Sequence, residues 1–359
     1  MRKILDIYRL IQYCIFGRKR FGVMQPGVAV QVEPFRYEEN KGDVVHPCVR
    51  YIPGGFEGHC WWMVYTPYYK ANASLENPVL CYSDSNEPNK PPIEWKHYCL
   101  VNEKPKDGYN SDPTLLYRDG QLYVLWRENY ENNGGKNPYV RATFIAEISK
   151  GEVHHLDEPL LIATNEEEDP ETCPTFMPTK EGMVMAYGMH LRFHSPRIKQ
   201  LKPYLKKIIT KIVLFCDLVG LYSQQKHYGL AIWKQNVVNW LQPYMYEKTI
   251  RFKNCNRLYR PWHMDFFDWE GKRYCIVQTN MGNADLCLSV SEDNENFTFF
   301  KKPLITNDSI KKLGIYKPTA GVTPNGLFFL YYTAQDPEDR SLNKLYLTSM
   351  AFDELLKKL

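Results

Sequence analysis

A short pattern recurs five times along the chain, and this repeat limits the folds that the sequence can adopt. Each copy has an X-Pro or equivalent start, an apolar strand, a Gly-containing turn and a second, aromatic-rich strand. The copies start at His46, Asp112, Cys173, His263 and Lys317. Their turns are Gly54-Gly55, Asp119-Gly120, Glu181-Gly182, Glu270-Gly271 and Asn325-Gly326. Dipeptides of this kind between alternating strands predict β-hairpins.

Most of these hairpins are followed by two further strand-like runs. The runs cover residues 79–83 and the Trp95 region after the first hairpin, 142–148 and 160–163 after the second, and 286–290 and 297–300 after the fourth. Four strands in each of five units, arranged around an axis, make a β-propeller. We therefore predict an all-β fold, with a five-bladed β-propeller over residues 26–359. A β-sandwich of two sheets is the alternative.

The composition of the 359 residues fits a folded β domain, because 44% are hydrophobic and only 24% are charged. Aromatic residues reach 14%, which suits half-buried strands and sugar-stacking surfaces equally well. The net charge of +4 is small for this length and argues against a nucleic-acid partner. The ten cysteines form no C-x-x-C pair, so no structural zinc site is expected, and their scatter indicates a reducing compartment.

Two basic, amphipathic segments interrupt the strand pattern. Residues 1–25 predict an N-terminal helix, and residues 191–226 predict a helical insertion in the third blade, because lysines and apolar residues alternate there at helical spacing. No run reaches the ~18 uncharged apolar residues that span a bilayer. Residues 1–20 and 197–222 therefore predict peripheral membrane contact, or packing on the propeller, in a cytoplasmic protein.

The innermost strands of a propeller line its channel, so the first residues of the five copies are expected to meet at one mouth. These residues are His46, Asp112, Cys173, His263 with Asp265, and Lys317. Histidines and carboxylates in such a ring can transfer protons near neutral pH. Each also has a structural interpretation, since a histidine can join neighbouring blades and an Asp before Pro can cap a turn.

The ends of the second strands are expected to form the rim of the mouth. Arg127-Glu128 ends that strand in copy two, and Tyr68 follows it in copy one. Glu76-Asn77 lies in the next loop. Trp61-Trp62 alternates between two faces of one strand, so one ring is expected in the core and one is available to stack on a sugar. A surface ion pair and a loop closure are the structural alternatives for Arg127-Glu128 and Glu76-Asn77.

Several of these motifs resemble one family. They are His46-Pro47, Trp61 to Tyr68, Glu76-Asn77-Pro78, Ser111-Asp112-Pro113, Pro261 to Asp265 and Lys317-Pro318. Over residues 40–355 the chain resembles five-bladed propellers related to glycoside hydrolase family 43. The resemblance implies three carboxylates: a general base at the start of blade one, an orienting Asp at blade two and a general acid Glu from a later blade.

The chain departs from that carboxylate set at two positions. Asp112 fits blade two, but His46 replaces the Asp of blade one, and the third copy reads Thr172-Cys173-Pro174 without the acid. The predicted catalytic residues are therefore Asp112, His46 as a substitute base, Glu128 and Asp265. The predicted substrate-binding residues are His263, Arg127, Trp62, Tyr68, Glu76, Asn77, Lys317 and Arg260.

The sequence thus predicts a carbohydrate-active, glycoside hydrolase-like protein that binds or cleaves a sugar at the channel mouth. No cofactor is expected, although the resemblance implies a channel Ca²⁺ near His263, as in some relatives. The alternative is a non-hydrolytic protein that binds or transfers a sugar or sugar nucleotide. It would serve a bacterial-type surface polysaccharide pathway at the inner membrane face. A scaffold propeller that binds another protein is a third hypothesis.

Overall fold

In this computed structural model the chain folds into five sheets, which are arranged as blades around a channel. This architecture confirms the predicted five-bladed β-propeller. The structure describes residues 21–106, 108–130, 141–163, 172–191, 228–235, 239–255, 261–279 and 284–359. The predicted insertion, apart from its first residue Leu191 in β13, and residues 1–20 of the predicted N-terminal helix lie outside the described residues. Residues 21–25 are not helical.

The first strand of each blade lies innermost, next to the channel. Blade one contains β3 (Val45–Phe56), β4 (His59–Thr66), β5 (Val79–Ser83), β6 (Glu94–Leu100) and β2 (Gln31–Val32). Blade two contains β7 (Gly108–Arg118), β8 (Gln121–Tyr130), β9 (Arg141–Ser149), β10 (Glu152–His155) and β11 (Leu161–Ala163). Blade three contains β12 (Thr172–Pro178), β13 (Val184–Leu191), β14 (Tyr228–Lys234) and β15 (Met245–Ile250).

Blade four contains β16 (Pro261–Trp269), β17 (Lys272–Thr279), β18 (Asp285–Ser291), β19 (Thr298–Phe299) and β20 (Ile305–Thr306). Blade five contains β21 (Pro318–Val322), β22 (Leu327–Gln335), β23 (Asn343–Ala351) and β1 (Val28–Ala29). Two short helices, α1 (Tyr37–Asn40) and α2 (Phe352–Lys358), complete the described regular elements besides two 3₁₀ turns at Tyr69–Ala71 and Ala73–Leu75. Within the described part of the chain, no helix is long and apolar enough to cross a membrane.

The ring closes through the two ends of the chain. The inner strands β3, β7, β12, β16 and β21 pack on one another in that order, and β21 returns to β3. The N-terminal strand β1 pairs with β23, where Val28 lies opposite Leu347. The next strand, β2, joins blade one. Blades one and five therefore cannot separate without breaking a sheet.

Turn chemistry sets the register of three inner hairpins. In Glu57-Gly58, Asp119-Gly120 and Glu270-Gly271 both residues have a positive φ, of 46–52° for the first and 72–86° for the glycine. Two positive φ angles in a two-residue loop define the type I′ turn, whose twist matches that of the strands. The prediction of a turn at Gly54-Gly55 was wrong, because these glycines lie inside β3 and the chain reverses at Glu57-Gly58.

Apolar side chains fill the spaces between neighbouring blades, so both faces of each inner hairpin are covered. Trp61 packs towards blade five, against Phe329, whereas Trp62 packs towards blade two, with Val124 and Trp126. The indole of Trp62 is fully buried and donates its N–H to the backbone oxygen of His59 at 3.0 Å. Neither face of β4 is open, so this burial does not support the predicted sugar-stacking role of Trp62.

Candidate active site

The same irregularity interrupts the inner strands of blades one to four near their first residues. The pairing register shifts between Val45 and Cys48, Ser111 and Thr114, Thr172 and Thr175, and Pro261 and Met264. A β-bulge of this kind turns side chains out of the regular alternation. Three of the four bulges contain a predicted site residue whose side chain the structure describes: His46, Asp112 and His263.

At His46 and Asp112 the backbone itself is strained. Their φ angles are 52° and 49°, in the left-handed region that residues other than glycine rarely adopt. Both residues precede a proline. Such strain persists only where the surroundings hold it, and it concentrates at functional sites.

The bulges bring His46, Asp112 and His263 together inside the channel. Nε2 of His46 lies 3.7 Å from Oδ1 of Asp112, and Nδ1 of His263 lies 3.4 Å from the same oxygen. All three side chains are buried. One ligand atom from each residue lies within 4.8 Å of the other two. The sequence had predicted each residue separately, whereas the structure groups them as two imidazoles around one carboxylate.

Asp112 is held in its ionised form by Arg127. Nη2 of Arg127 lies 2.8 Å from Oδ2 of Asp112, and Nε of Arg127 donates to Oγ of Ser111 at 3.1 Å. Burial alone would raise the pKa of Asp112, but Arg127 and the two histidines hold it well below its usual value. One carboxylate oxygen is thus paired with Arg127, and the other faces the histidines.

His46 lies between two carboxyl groups. Its Nδ1 is 2.9 Å from Oγ1 of Thr66 and 3.3 Å from Oε1 of Glu76, while its Nε2 faces Asp112. Burial holds the pKa of His46 well below its usual value. Burial, reinforced by Asp112, holds the pKa of Glu76 well above its usual value. Burial therefore favours the neutral form of both His46 and Glu76.

His263 has a defined tautomer. Its Nε2 accepts a hydrogen bond of 2.7 Å from Nε1 of Trp262. An indole N–H can only donate, so the proton of the neutral ring is on Nδ1 and faces Asp112. Burial lowers the pKa of His263, although the neighbouring Asp112 opposes the shift. Both imidazoles of the cluster are thus neutral.

Two neighbouring residues of blade five complete the cluster. The ring of Tyr316 packs on both imidazoles, with centroid distances of 5.3 Å to His46 and 4.6 Å to His263. Lys317 is fully buried and reaches across the channel, where its Nζ donates to the backbone oxygen of Pro113 at 3.1 Å. Tyr316 was missed in the sequence, although it directly precedes the Lys317-Pro318 motif.

Asp265 forms a separate ion pair across the channel. Nη1 and Nη2 of Arg50 bind its two oxygens at 2.8 and 2.7 Å. The same carboxylate accepts from Oγ1 of Thr319 at 2.6 Å and from the backbone N–H of Phe266 at 2.9 Å. Its oxygens are thus engaged in holding blades one, four and five together. These contacts do not support the predicted catalytic role of Asp265.

The remaining predicted residues lie outside the group of three ligand residues. Glu128 accepts from Nδ2 of Asn102 at 3.0 Å, from Nε1 of Trp126 at 3.1 Å and from the Tyr130 hydroxyl at 2.6 Å. These bonds tie Glu128 to its own blade and to the loop before it. Asn77 is buried beside Glu76, and Tyr68 is half-exposed. Arg260 and the side chain of Cys173 lie outside the described residues.

The fold has many relatives of known structure, although no protein-family model and no curated protein matches the sequence. An N-acetylgalactosamine deacetylase from F. plautii, in complex with blood group B trisaccharide, is 15% identical, with a TM-score of 0.65 over 93% of this chain and 97% of that one. A thermostable family-43 glycoside hydrolase is 11% identical, with a TM-score of 0.55 over 92% of each chain.

A GH43 β-xylosidase/α-arabinofuranosidase from a compost microbial metagenome, solved with xylotriose in a calcium-free form, is 11% identical. Its TM-score is 0.56, over 92% of this chain and 94% of that one. The chain has the propeller fold of the family-43 glycoside hydrolases. At these sequence identities the structural similarity shows a shared fold, and the chemistry depends on the residues of this chain.

Within this family-43 fold, the cluster suits a divalent cation bound by nitrogen and oxygen. Ligand atoms about 2.1 Å from a tetrahedral metal lie about 3.4 Å apart, close to the observed 3.4 and 3.7 Å. A histidine that binds a metal usually donates its other N–H to a carboxylate or similar acceptor, and Thr66 and Glu76 stand at Nδ1 of His46. Ca²⁺ prefers oxygen ligands, so this set fits Zn²⁺, Mn²⁺ or Co²⁺ better than the Ca²⁺ that the resemblance implied.

One further acidic residue, Asp43, joins the rim to blade five. Its Oδ2 accepts from the backbone N–H of Tyr68 at 2.8 Å, and its Oδ1 accepts from the backbone and side chain of Asn343 at 2.6 and 3.0 Å. Burial raises the pKa of Asp43 to about 6, although these hydrogen bonds oppose the shift. No local sequence pattern points to Asp43, because its contact with Asn343 joins residues 300 positions apart.

We expect Asp43 to make the fold more stable in acid. A carboxyl whose pKa rises from 3.8 to about 6 on folding gives a stabilisation that is complete below the lower value and lost as pH rises through the higher one. Between pH 4 and 7, the free energy of unfolding of the wild type relative to Asp43→Asn should fall by up to about 3 kcal/mol. Urea unfolding of both proteins across this range measures the difference. Parallel profiles for the two proteins would contradict it.

Proposed function

We propose that this protein is a carbohydrate-active hydrolase that uses a divalent cation, held by His46, Asp112 and His263, to remove an N-acyl group from an amino sugar. The observation that carries the proposal is the convergence of two imidazoles and one carboxylate in a buried site. Three protein ligands with room for a fourth group are typical of catalytic metal sites. The likeness to a sugar deacetylase of the same fold supports the choice of substrate.

The positions of the carboxyl groups favour an acyl bond over a glycosidic bond. A glycosidase places its two carboxyl groups on opposite sides of the scissile bond, with the sugar between them. Here Glu76 and Asp112 do have opposite pKa shifts, as an acid and a base require. However, they contact opposite nitrogens of the His46 ring, so an imidazole fills the space that the sugar would need.

In the proposed reaction the oxygen of a water joins the acyl carbon, the C–N bond breaks, and the amine nitrogen takes up a proton. A cation at this site would polarise the acyl oxygen and make the water more acidic. The residues of the chain supply the rest. Arg127 keeps Asp112 ionised, burial keeps both imidazoles neutral so that they can bind a cation, and Oε1 of Glu76 is placed to accept a hydrogen bond from Nδ1–H of His46.

The direct test combines cation binding with two activity assays on the full chain. After chelator treatment, the protein is titrated with Zn²⁺, Mn²⁺, Co²⁺ and Ca²⁺ by calorimetry. It is then assayed for acetate release from the methyl glycosides of N-acetylglucosamine and N-acetylgalactosamine, and for cleavage of 4-nitrophenyl β-xyloside. We expect one site for a transition metal and metal-dependent acetate release. Xyloside cleavage without acetate release would overturn the proposal in favour of a glycosidase.

Trp262 offers a second, spectroscopic test of the same site. If Nδ1 of His263 binds a cation, the ring proton must move to Nε2, and Nε2 can then no longer accept from the indole of Trp262. Trp262 must therefore break its 2.7 Å bond. We expect metal addition to change the tryptophan fluorescence of the wild type, and Trp262→Phe to lose most of that change. An equal change in both proteins would place the cation away from His263.

The carbohydrate ligand is part of this proposal. The sugar-nucleotide ligand and the membrane contact remain predictions, because residues 1–20 and 197–222 lie outside the described part of the chain. The cytoplasmic location also remains a prediction.

A further inference from the structure

Tyr316 is the one aromatic residue that contacts both histidines of the cluster among the described residues. Its ring lies at a centroid distance of 5.3 Å from His46 and 4.6 Å from His263. Its hydroxyl is 3.4 Å from Nε2 of His46, the nitrogen that faces Asp112. The hydroxyl group therefore lies at the edge of the space on which the three ligand atoms converge.

The backbone holds Tyr316 in this place from two sides. Its N–H donates to the backbone oxygen of Thr333 in blade five at 2.8 Å. The backbone oxygen of the preceding Ile315 accepts from Nε2 of Gln278 in blade four at 3.0 Å. The next residue, Lys317, is anchored across the channel on Pro113. A phenol fixed in this way can present its hydroxyl without a large loss of side-chain entropy.

The proposed function, on which this inference rests, includes a cation that would polarise the acyl oxygen but no protein group that donates a hydrogen bond to that oxygen. When water adds to an acyl carbon, negative charge develops on the acyl oxygen, and hydrogen-bond donors directed at that oxygen stabilise the transition state. Asp112 is ionised and can only accept, and both imidazoles are assigned to the cation. Arg127 is paired with Asp112. The phenolic O–H is a neutral donor beside the cluster.

We propose that Tyr316 is a catalytic residue that donates a hydrogen bond to the acyl oxygen of the substrate. When a cation takes the lone pair of His46 Nε2, that nitrogen can no longer accept from the phenol. The hydroxyl hydrogen then turns towards an acceptor next to the cation, which is where the acyl oxygen must lie. The step moves no proton and breaks no bond in the protein. Half-burial leaves the phenol within reach of a substrate.

The test is Tyr316→Phe, compared with the wild type in acetate release from methyl N-acetylgalactosaminide and in calorimetric Zn²⁺ binding. Loss of one oxyanion donor lowers kcat by about 10²–10³-fold, and we expect that loss with KM changed only a few-fold. Zn²⁺ affinity should stay the same or rise, because the hydroxyl that competes for Nε2 is gone. If Tyr316 only positioned His46, Zn²⁺ affinity would fall together with kcat.

Tyr332→Phe is the matched control. It removes another blade-five phenol, which accepts from the backbone N–H of Gly27 at 2.9 Å and stacks on Tyr346. We expect wild-type kcat and Zn²⁺ affinity for this variant. A Tyr316→Phe protein with wild-type kcat, or one whose Zn²⁺ affinity falls with kcat, would overturn the role of Tyr316 and leave the proposed function standing. A wild type without acetate release would overturn both.

Discussion

Replacing Asp112 by Asn should abolish cation binding and most acetate release. Asp112 supplies the only carboxylate of the proposed ligand set, and an amide oxygen binds a divalent cation far more weakly than a carboxylate does. Loss of a residue that merely supports a ligand already costs about 10–100-fold in affinity. We therefore expect at least an ~100-fold fall in Zn²⁺ affinity and a kcat near the detection limit. Calorimetry and acetate release measure the two effects.

The substitution is conservative for the backbone and has a matched control. Asn tolerates a positive φ nearly as well as Asp does, so the strained position at 49° should be kept. Asp119→Asn makes the same change at another positive φ, 52°, on the exposed turn of the same hairpin, and we expect it to be silent. An Asp112→Asn protein that binds Zn²⁺ within three-fold of the wild type would exclude Asp112 as a ligand.

Breaking the Arg50–Asp265 pair should greatly lower the stability of the fold. Asp265→Asn would leave the guanidinium of Arg50 without a counter-charge between three blades. Removing one partner of a buried pair costs about 3–5 kcal/mol, because the other charge stays buried and uncompensated. We expect a loss of that size in the free energy of unfolding, measured by urea denaturation.

Two comparisons identify the cause of that loss. Replacing both partners, with Arg50→Met and Asp265→Leu together, should recover part of it, because no isolated charge remains. The exposed pair Lys96–Asp84 provides the control, since breaking a surface ion pair costs about 1 kcal/mol or less. An Asp265→Asn protein as stable as an Asp84→Asn protein would contradict a bracing role for Asp265.

The turn residues show where sequence reasoning succeeds. Asp119-Gly120 and Glu270-Gly271 were located from the sequence because a type I′ turn needs two residues that accept a positive φ, a purely local condition. The same reasoning failed in blade one, because this blade offers two suitable dipeptides, Gly54-Gly55 and Glu57-Gly58, that start only three residues apart. Which dipeptide forms the turn depends on the register in which β3 pairs with β4. Contacts with the rest of the fold decide that register.

The site shows where such reasoning stops. His46, Asp112 and His263 were predicted at the channel mouth because their motifs begin equivalent strands. Tyr316 and Asp43 were missed, since each acts through contacts to residues far away in sequence. The predicted roles of Trp62 and Asp265 lack support from the structure for the converse reason. The sequence does not show whether the strand face that carries Trp62 is covered or open. It also does not show whether the carboxylate of Asp265 is paired or free.

By itself, the sequence determined the number of blades, the positions of most hairpins and the identity of the residues that begin each inner strand, because hydrophobic alternation and turn preferences act over a few neighbouring residues. The tertiary structure alone decided which of those residues act together. Ring closure brings ligand atoms of residues 46, 112 and 263 within 4.8 Å of one another, and burial together with the charge of Arg127 then shifts their pKa values. Proximity between distant residues and the removal of water are properties of the packed ring, and no local pattern encodes them.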